Sequence, residues 1–215
     1  MSVSVALLDL YDTLVGADWP GMRRRLHAST GLDPRRLGEA FEKTRPVRNS
    51  GTFGTIEEEL ACVLEAYGAT PEPSLVAKMA ELERSFVATD MFLFEDSVPV
   101  LRELRRRGVR TAIVSNCSHE TPALIERLGL AAEVDEVVLS FEVRSAKPDP
   151  GIYLVALERL GARAEEAVFV DDQPPFCDGA AAVGLSTMLI LRDPSDPPEG
   201  TASHRVVRDL TPLLD

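Results

Sequence analysis

Four short polar clusters in this sequence could carry chemistry, and each follows a run of apolar residues. Asp9-Leu10-Tyr11-Asp12-Thr13-Leu14 closes the first run, Ser115-Asn116 closes another, Lys147-Pro148-Asp149-Pro150 follows a third, and Asp171-Asp172 ends a fourth. Each cluster alone has an ordinary explanation. An Asp at a strand end caps a turn, Ser-Asn is common loop chemistry, and a lysine is usually solvated. Together they supply a carboxylate nucleophile, a hydroxyl, a lysine and a carboxylate pair, a set able to carry a covalent displacement.

The elements that must position them are legible from the pattern. The runs 3–10, 110–116, 136–140, 167–172 and 186–191 are rich in Val, Ile and Leu, too short for helices, and barely alternate. That predicts strands covered on both faces of a parallel sheet. Helical stretches 98–107, 122–128, 151–160 and 175–183 separate them, with Gly108, Gly129, Gly161 and Gly184 at or just beyond their ends. Strand and helix in alternation build right-handed βαβ units, whose carboxyl ends share one edge of the sheet. Between 16 and 94 no buried strand is expected, only helices broken at 31–34, 45–46 and 70–71. Thr55 with Glu58 fits a capping box opening a helix toward Tyr67. The expected fold is therefore α/β: a Rossmann-like doubly wound parallel sheet from 1–15 and 95–215, with residues 16–94 inserted as a helical bundle above the strand ends. A Pro-rich loop at 193–200 and a short strand and helix over 206–214 complete the chain.

The chain has 215 residues, 35 of them acidic and 23 basic, for a net charge of −12. That balance argues against a nucleic-acid binder, although a local site can still take a small anion. No apolar run approaches the ~18 residues of a membrane span. The start, Met1-Ser2-Val3-Ser4, lacks the pattern of a signal peptide, and Cys62, Cys117 and Cys177 are odd in number and at no metal spacing. The expectation is a cytoplasmic protein with reduced thiols, acting on a small molecule as a monomer or homodimer, with no nucleic-acid or membrane partner.

Over almost its whole length the sequence resembles the haloacid dehalogenase-like hydrolase superfamily, whose four motifs occur in order and whose smaller cap domain sits where the helical insertion does. The resemblance implies that Asp9 is the nucleophile, that Ser115 donates a hydrogen bond to a phosphoryl oxygen, and that Asn116 supports that turn. Lys147 would offset the negative charge between nucleophile and substrate. Asp172 would bind a magnesium ion directly, with Asp9 and the carbonyl of Tyr11, while Asp171 assists. Hard carboxylate oxygens suit that ion. Thr13 would fix the loop after the nucleophile. Arg45 and Arg48, in the Pro/Gly-bearing loop of the insertion, are candidates for contact with substrate anions, and Trp19 is placed at the hinge between core and cap.

One position departs from the phosphatase pattern. Family phosphatases carry a second aspartate two residues after the nucleophile, where this sequence has Tyr11; Asp12 falls one residue late. The loss is general acid–base help, worth roughly 10²–10⁴ in rate. Tyrosine there is what the haloacid dehalogenase branch has, and Tyr153 fits that branch too. The acidic pair Asp171-Asp172 fits a metal-dependent phosphatase. The leading expectation is a magnesium-dependent phosphatase that works through an aspartyl-phosphate on Asp9, best suited to reactive leaving groups such as acyl phosphates. The alternatives are a 2-haloacid dehalogenase-type hydrolase and a weakly active relative that binds a ligand or protein.

Overall fold

The computed structural model describes residues 3–117, 119–193, 201 and 204–215. Its centre is a six-stranded sheet in the order β5-β4-β1-β6-β7-β8, with every neighbouring pair parallel. The strands are β1 (Val5–Leu8), β4 (Arg110–Ser115), β5 (Glu136–Leu139), β6 (Ala167–Asp171), β7 (Ser186–Ile190) and β8 (Arg205–Val207). Alternate residues face opposite sides, as the pleat requires. Ala6, Leu8, Ile113, Val168 and Val170 pack with Val100, Leu101 and Leu104 of α5 (Ser97–Arg106) and with Leu124 and Ile125 of α6 (Thr121–Arg127). Val5, Leu7, Ala112, Val114 and Phe169 pack on the other face, against α8 (Pro150–Leu160) and α9 (Pro174–Ala182). This two-sided cover is why the strands read as continuous apolar runs. Chain order reverses at β1, so the crevice beyond its end is the place where such sheets hold ligands.

Four helices fill the insertion: α1 (Trp19–Thr30), α2 (Pro34–Arg48), α3 (Ile56–Tyr67) and α4 (Pro73–Thr89). Asp18 and Asp33 cap α1 and α2, each with proline in the first turn. At α3 half of the expected capping box forms. Thr55 accepts from the Glu58 amide at 3.2 Å, while the Glu58 carboxylate takes the Gly54 amide at 2.7 Å. Two expectations for this region fail. Arg45-Pro46 does not break the chain into a loop; Pro46 sits in the last turns of α2, and Arg45 and Arg48 are helical. The insertion is also not free of strand. Its ends pair as a two-stranded antiparallel ribbon, β2 (Val15–Ala17) with β3 (Met91–Leu93). Three residues per strand are too few to show a period. Among the described residues no helix is long and apolar enough to cross a membrane. Residues 194–200 of the expected Pro-rich loop lie outside the described residues; β8 and a single 3-10 turn at Thr211–Leu214 follow as the sequence suggested.

Candidate active site

Three adjacent strands bring the acidic clusters together. Asp9 follows the end of β1, Ser115 ends β4, and Asp171 ends β6, with Asp172 one residue beyond. Lys147 comes from the loop between the single-turn helix α7 (Ser140–Val143) and α8. Its ammonium donates to Asp9 Oδ1 at 2.5 Å and to Asp171 Oδ2 at 2.6 Å, with all three groups buried. Its backbone is held by a two-bond clamp: Asn116 Nδ2 donates to the Lys147 carbonyl at 2.8 Å, and the Lys147 amide donates to Asn116 Oδ1 at 2.7 Å. The Asn116 amide is thus committed to placing the lysine.

Electrostatics then point to a missing positive charge. Carboxylate oxygens of Asp9, Asp171 and Asp172 lie within 4.8 Å of one another. Burial pushes Asp9 up to about 7, against the pull of Lys147 and with the help of Asp171. Burial, then Asp9 and Asp171, push Asp172 up to about 9. Burial disfavours charge on Lys147 too, but Asp171 and Asp9 outweigh it and hold the ammonium protonated. One lysine against three carboxylates leaves the group short of cation. Asp172 accepts no hydrogen bond from the described residues, so its oxygens remain available. An all-oxygen donor set of this kind fits a hard divalent ion such as magnesium.

Around these groups a cavity of about 500 Å³ opens between the sheet edge and the insertion. Asp9, Tyr11, Asn116, Lys147 and Asp172 line its core side; Arg45, Arg48 and Asn49 line it from the insertion. Ser115, Thr13 and Asp171 stand behind that lining. The Ser115 and Thr13 hydroxyls are buried without a partner. Arg45 pairs with Glu42. Arg48 donates to Thr44 Oγ1 at 3.1 Å and to the Phe41 carbonyl at 3.1 Å, and burial lowers its pKa.

The two aromatic positions that bear on the branch of chemistry are also placed. The Tyr11 hydroxyl shares a hydrogen bond of 2.8 Å with Thr121 Oγ1, and burial raises its pKa. Tyr153 is fully buried in the core on the α8 and α9 face of the sheet, its hydroxyl donating to the Phe176 carbonyl at 2.7 Å. Asp12 adopts φ 56° and receives the Trp19 indole N–H at 3.1 and 3.2 Å. Trp19 meets Tyr11 edge-on and Phe86 at a tilt, and so joins the insertion to the nucleophile loop, as its hinge position suggested. His119, in the loop after β4, binds Glu59 of α3 at 2.6 Å. The sequence reading missed Glu59 and Glu83. Both signals were present: each is an acid on the apolar face of its helix, Glu59 among Ile56, Leu60 and Val63, and Glu83 among Met79, Ala80, Phe86 and Val87.

A family model described as haloacid dehalogenase-like hydrolase matches residues 3–184. The chain belongs to this family. As a member of it, the protein is a hydrolase. It is 37% identical over 142 residues to a ribulose-1,5-bisphosphate 5-phosphatase of Halopiger xanaduensis, a match spanning 65% of this chain and 59% of that protein. It is 29% identical over 159 residues to (S)-2-haloacid dehalogenase 1 of a Pseudomonas species, over 74% of this chain and 68% of that one. Its fold matches the crystal structure of an L-2-haloacid dehalogenase from Xanthobacter autotrophicus with a TM-score of 0.71 at 21% identity, covering 98% and 96% of the two chains. Relatives of both chemistries therefore surround this hydrolase.

Proposed function

We propose that the protein is a magnesium-dependent phosphatase of a small phosphorylated compound, acting through an aspartyl phosphate on Asp9. The observation that carries this reading is the charge imbalance of Asp9, Asp171 and Asp172 against Lys147 alone, which drives two carboxyls toward protonation. Displacing a halide from carbon calls for no such cluster, whereas a dianionic ester cannot approach it without a cation.

In this reading Asp9, Asp172 and the Tyr11 carbonyl hold the ion. When bound, it neutralises phosphoryl charge and aligns the ester with Asp9. Asp171, already engaged by Lys147 and by the Gln173 amide at 2.8 Å, supports it from behind. The Asp9 oxygen attacks phosphorus as the bond to the leaving oxygen breaks, and Lys147 steadies the carboxylate and the developing charge. The buried, unpartnered Ser115 hydroxyl is a donor for a phosphoryl oxygen. Residues 16–94 serve as the cap that closes the cavity, and Arg48 and Arg45 are its candidate contacts for a substrate anion.

A second reading, hydrolysis of a carbon–halogen bond, is favoured by Tyr11 and by the apolar cavity wall of Leu37, Phe41, Phe86 and Phe176. Calorimetric titration with magnesium separates them. The phosphatase reading expects binding to the wild type and a loss of at least about tenfold in affinity in Asp172→Asn, the scale of a lost ligand-shell group. Equal affinity in both proteins, or none in either, removes its support.

A further inference from the structure

The phosphatase reading leaves one role unfilled. A leaving alkoxide must be protonated, and Tyr11 occupies the position where the core would supply a carboxyl. The proton donors that line the cavity are few. Tyr11 is bonded to Thr121, Lys147 to Asp9 and Asp171, Asp12 to the Trp19 indole, and Glu42 to Arg45, while Asp172 belongs to the ion in the reading above. Burial pushes the Cys117 thiol up to about 12, out of the useful range. Glu83 remains. It faces the same cavity from α4, one turn before Phe86 and Val87, which line the same wall, and its carboxyl makes no hydrogen bond to any described residue. In-line displacement places the leaving oxygen across phosphorus from Asp9, away from the sheet and toward the insertion.

We propose that Glu83, supplied by the insertion, is the general acid and base of the reaction in place of the carboxyl that Tyr11 displaces; the proposal rests on the phosphoryl-transfer reading above. In the first step the Asp9 oxygen bonds to phosphorus, the electron pair of the breaking P–O bond goes to the leaving oxygen, and that oxygen takes the Glu83 proton. Alcohol, the aspartyl phosphate and a Glu83 carboxylate result. In the second step water attacks phosphorus and gives a proton to Glu83, and the electron pair of the P–O bond to Asp9 returns to its carboxylate. Phosphate leaves and both acids are restored.

The surroundings of Glu83 suit both halves of that cycle. Burial raises its pKa to about 7; Arg48 from α2 opposes the shift, Glu59 from α3 and Glu120 before α6 add to it, and Arg84 beside it opposes it. Tyr11 faces it from the nucleophile loop. A group poised near neutrality can serve as both acid and base.

The test compares kcat/KM for propyl phosphate, a poor leaving group, with that for nitrophenyl phosphate, whose leaving oxygen is stable as an anion, both with magnesium. Glu83→Gln should lower the propyl phosphate value by roughly 10²–10⁴ and the nitrophenyl phosphate value by less than about tenfold. Glu83→Asp should recover part of the loss, and the fall of the propyl phosphate rate above neutral pH should vanish in Glu83→Gln. Equal losses on both substrates would make Glu83 a binding or structural residue and overturn the proposal, as would no loss on either. Selective loss in Asp12→Asn but not in Glu83→Gln would assign the role to Asp12 and overturn it too. A wild type that turns over neither ester would instead sink the phosphatase reading itself.

Discussion

The two walls of the cavity are held in opposite ways. On the sheet side, Asp9, Lys147 and Asp171 are buried at the ends of adjacent strands or in a clamped loop, and Lys147 alone makes both ion pairs and both clamp bonds. On the insertion side, Arg48 spends part of its guanidinium on Thr44 and Phe41, while Glu83 and the Asn49 side chain take no hydrogen bond from the described residues. Reacting groups need tight positioning, which rigid elements with satisfied partners provide. Recognition and proton transfer need groups left open to a ligand. On the proposed reading the division between the walls would be a division of labour: the sheet would fix the displacement, and the insertion would read and protonate what leaves.

The largest effect should come from the sheet wall. Asp9→Asn should lower turnover of every substrate class to background, because an amide is a far poorer nucleophile than a carboxylate. Mass spectrometry of quenched reactions should show a phosphoryl group on the wild type and none on the variant. Near-normal activity in Asp9→Asn would break the assignment of covalent chemistry to this wall.

A smaller effect tests whether acid–base chemistry has moved from one wall to the other. Tyr11→Asp restores a carboxyl beside the nucleophile. In the Glu83→Gln background it should raise propyl phosphate turnover by up to roughly 10²-fold, and in the wild-type background much less, since the role is already filled. Equal gains in both backgrounds would show that the two carboxyls do not substitute for one another. A fall in both would mean that Tyr11 serves the native reaction.

How much of this was legible in the sequence differs between the walls for the same physical reason. Asp9, Ser115 and Asp171 could be placed because a strand buried on both faces reads as an apolar run and a polar residue at its end is conspicuous. Lys147 could be placed by its motif; its clamp by Asn116 could not, because that contact joins residues 31 apart in sequence. The insertion was harder. Pro46 reads as a breaker, yet it is accommodated in the last turns of α2, so Arg45 and Arg48 sit on a helix. The ribbon of β2 and β3 is made by pairing residues far apart in sequence, Val15 with Leu93 at one end, and no local pattern records it. Glu83 could have been found as an acid interrupting an apolar helical face, but its cavity depends on how α1, α2 and α4 pack.

The smallest effect is on stability. Burial raises the Glu83 carboxyl from 4.5 to about 7, so the folded state binds that proton more tightly than the unfolded state does. This group's contribution therefore falls as pH rises from about 4.5 toward 7 and is level above that. Glu83→Gln removes the dependence. In urea unfolding with chelator present, the variant should gain on the wild type across that window and stay ahead at higher pH. A difference between the two proteins that does not change with pH would mean that Glu83 is not held protonated by its surroundings.

The most direct measurement of the central claim is product release from a panel of phosphate esters, acyl phosphates and 2-haloacids, each with magnesium and with chelator. The account predicts phosphate release that requires magnesium and no halide release. Halide release indifferent to magnesium, with no phosphate released under either condition, would contradict it.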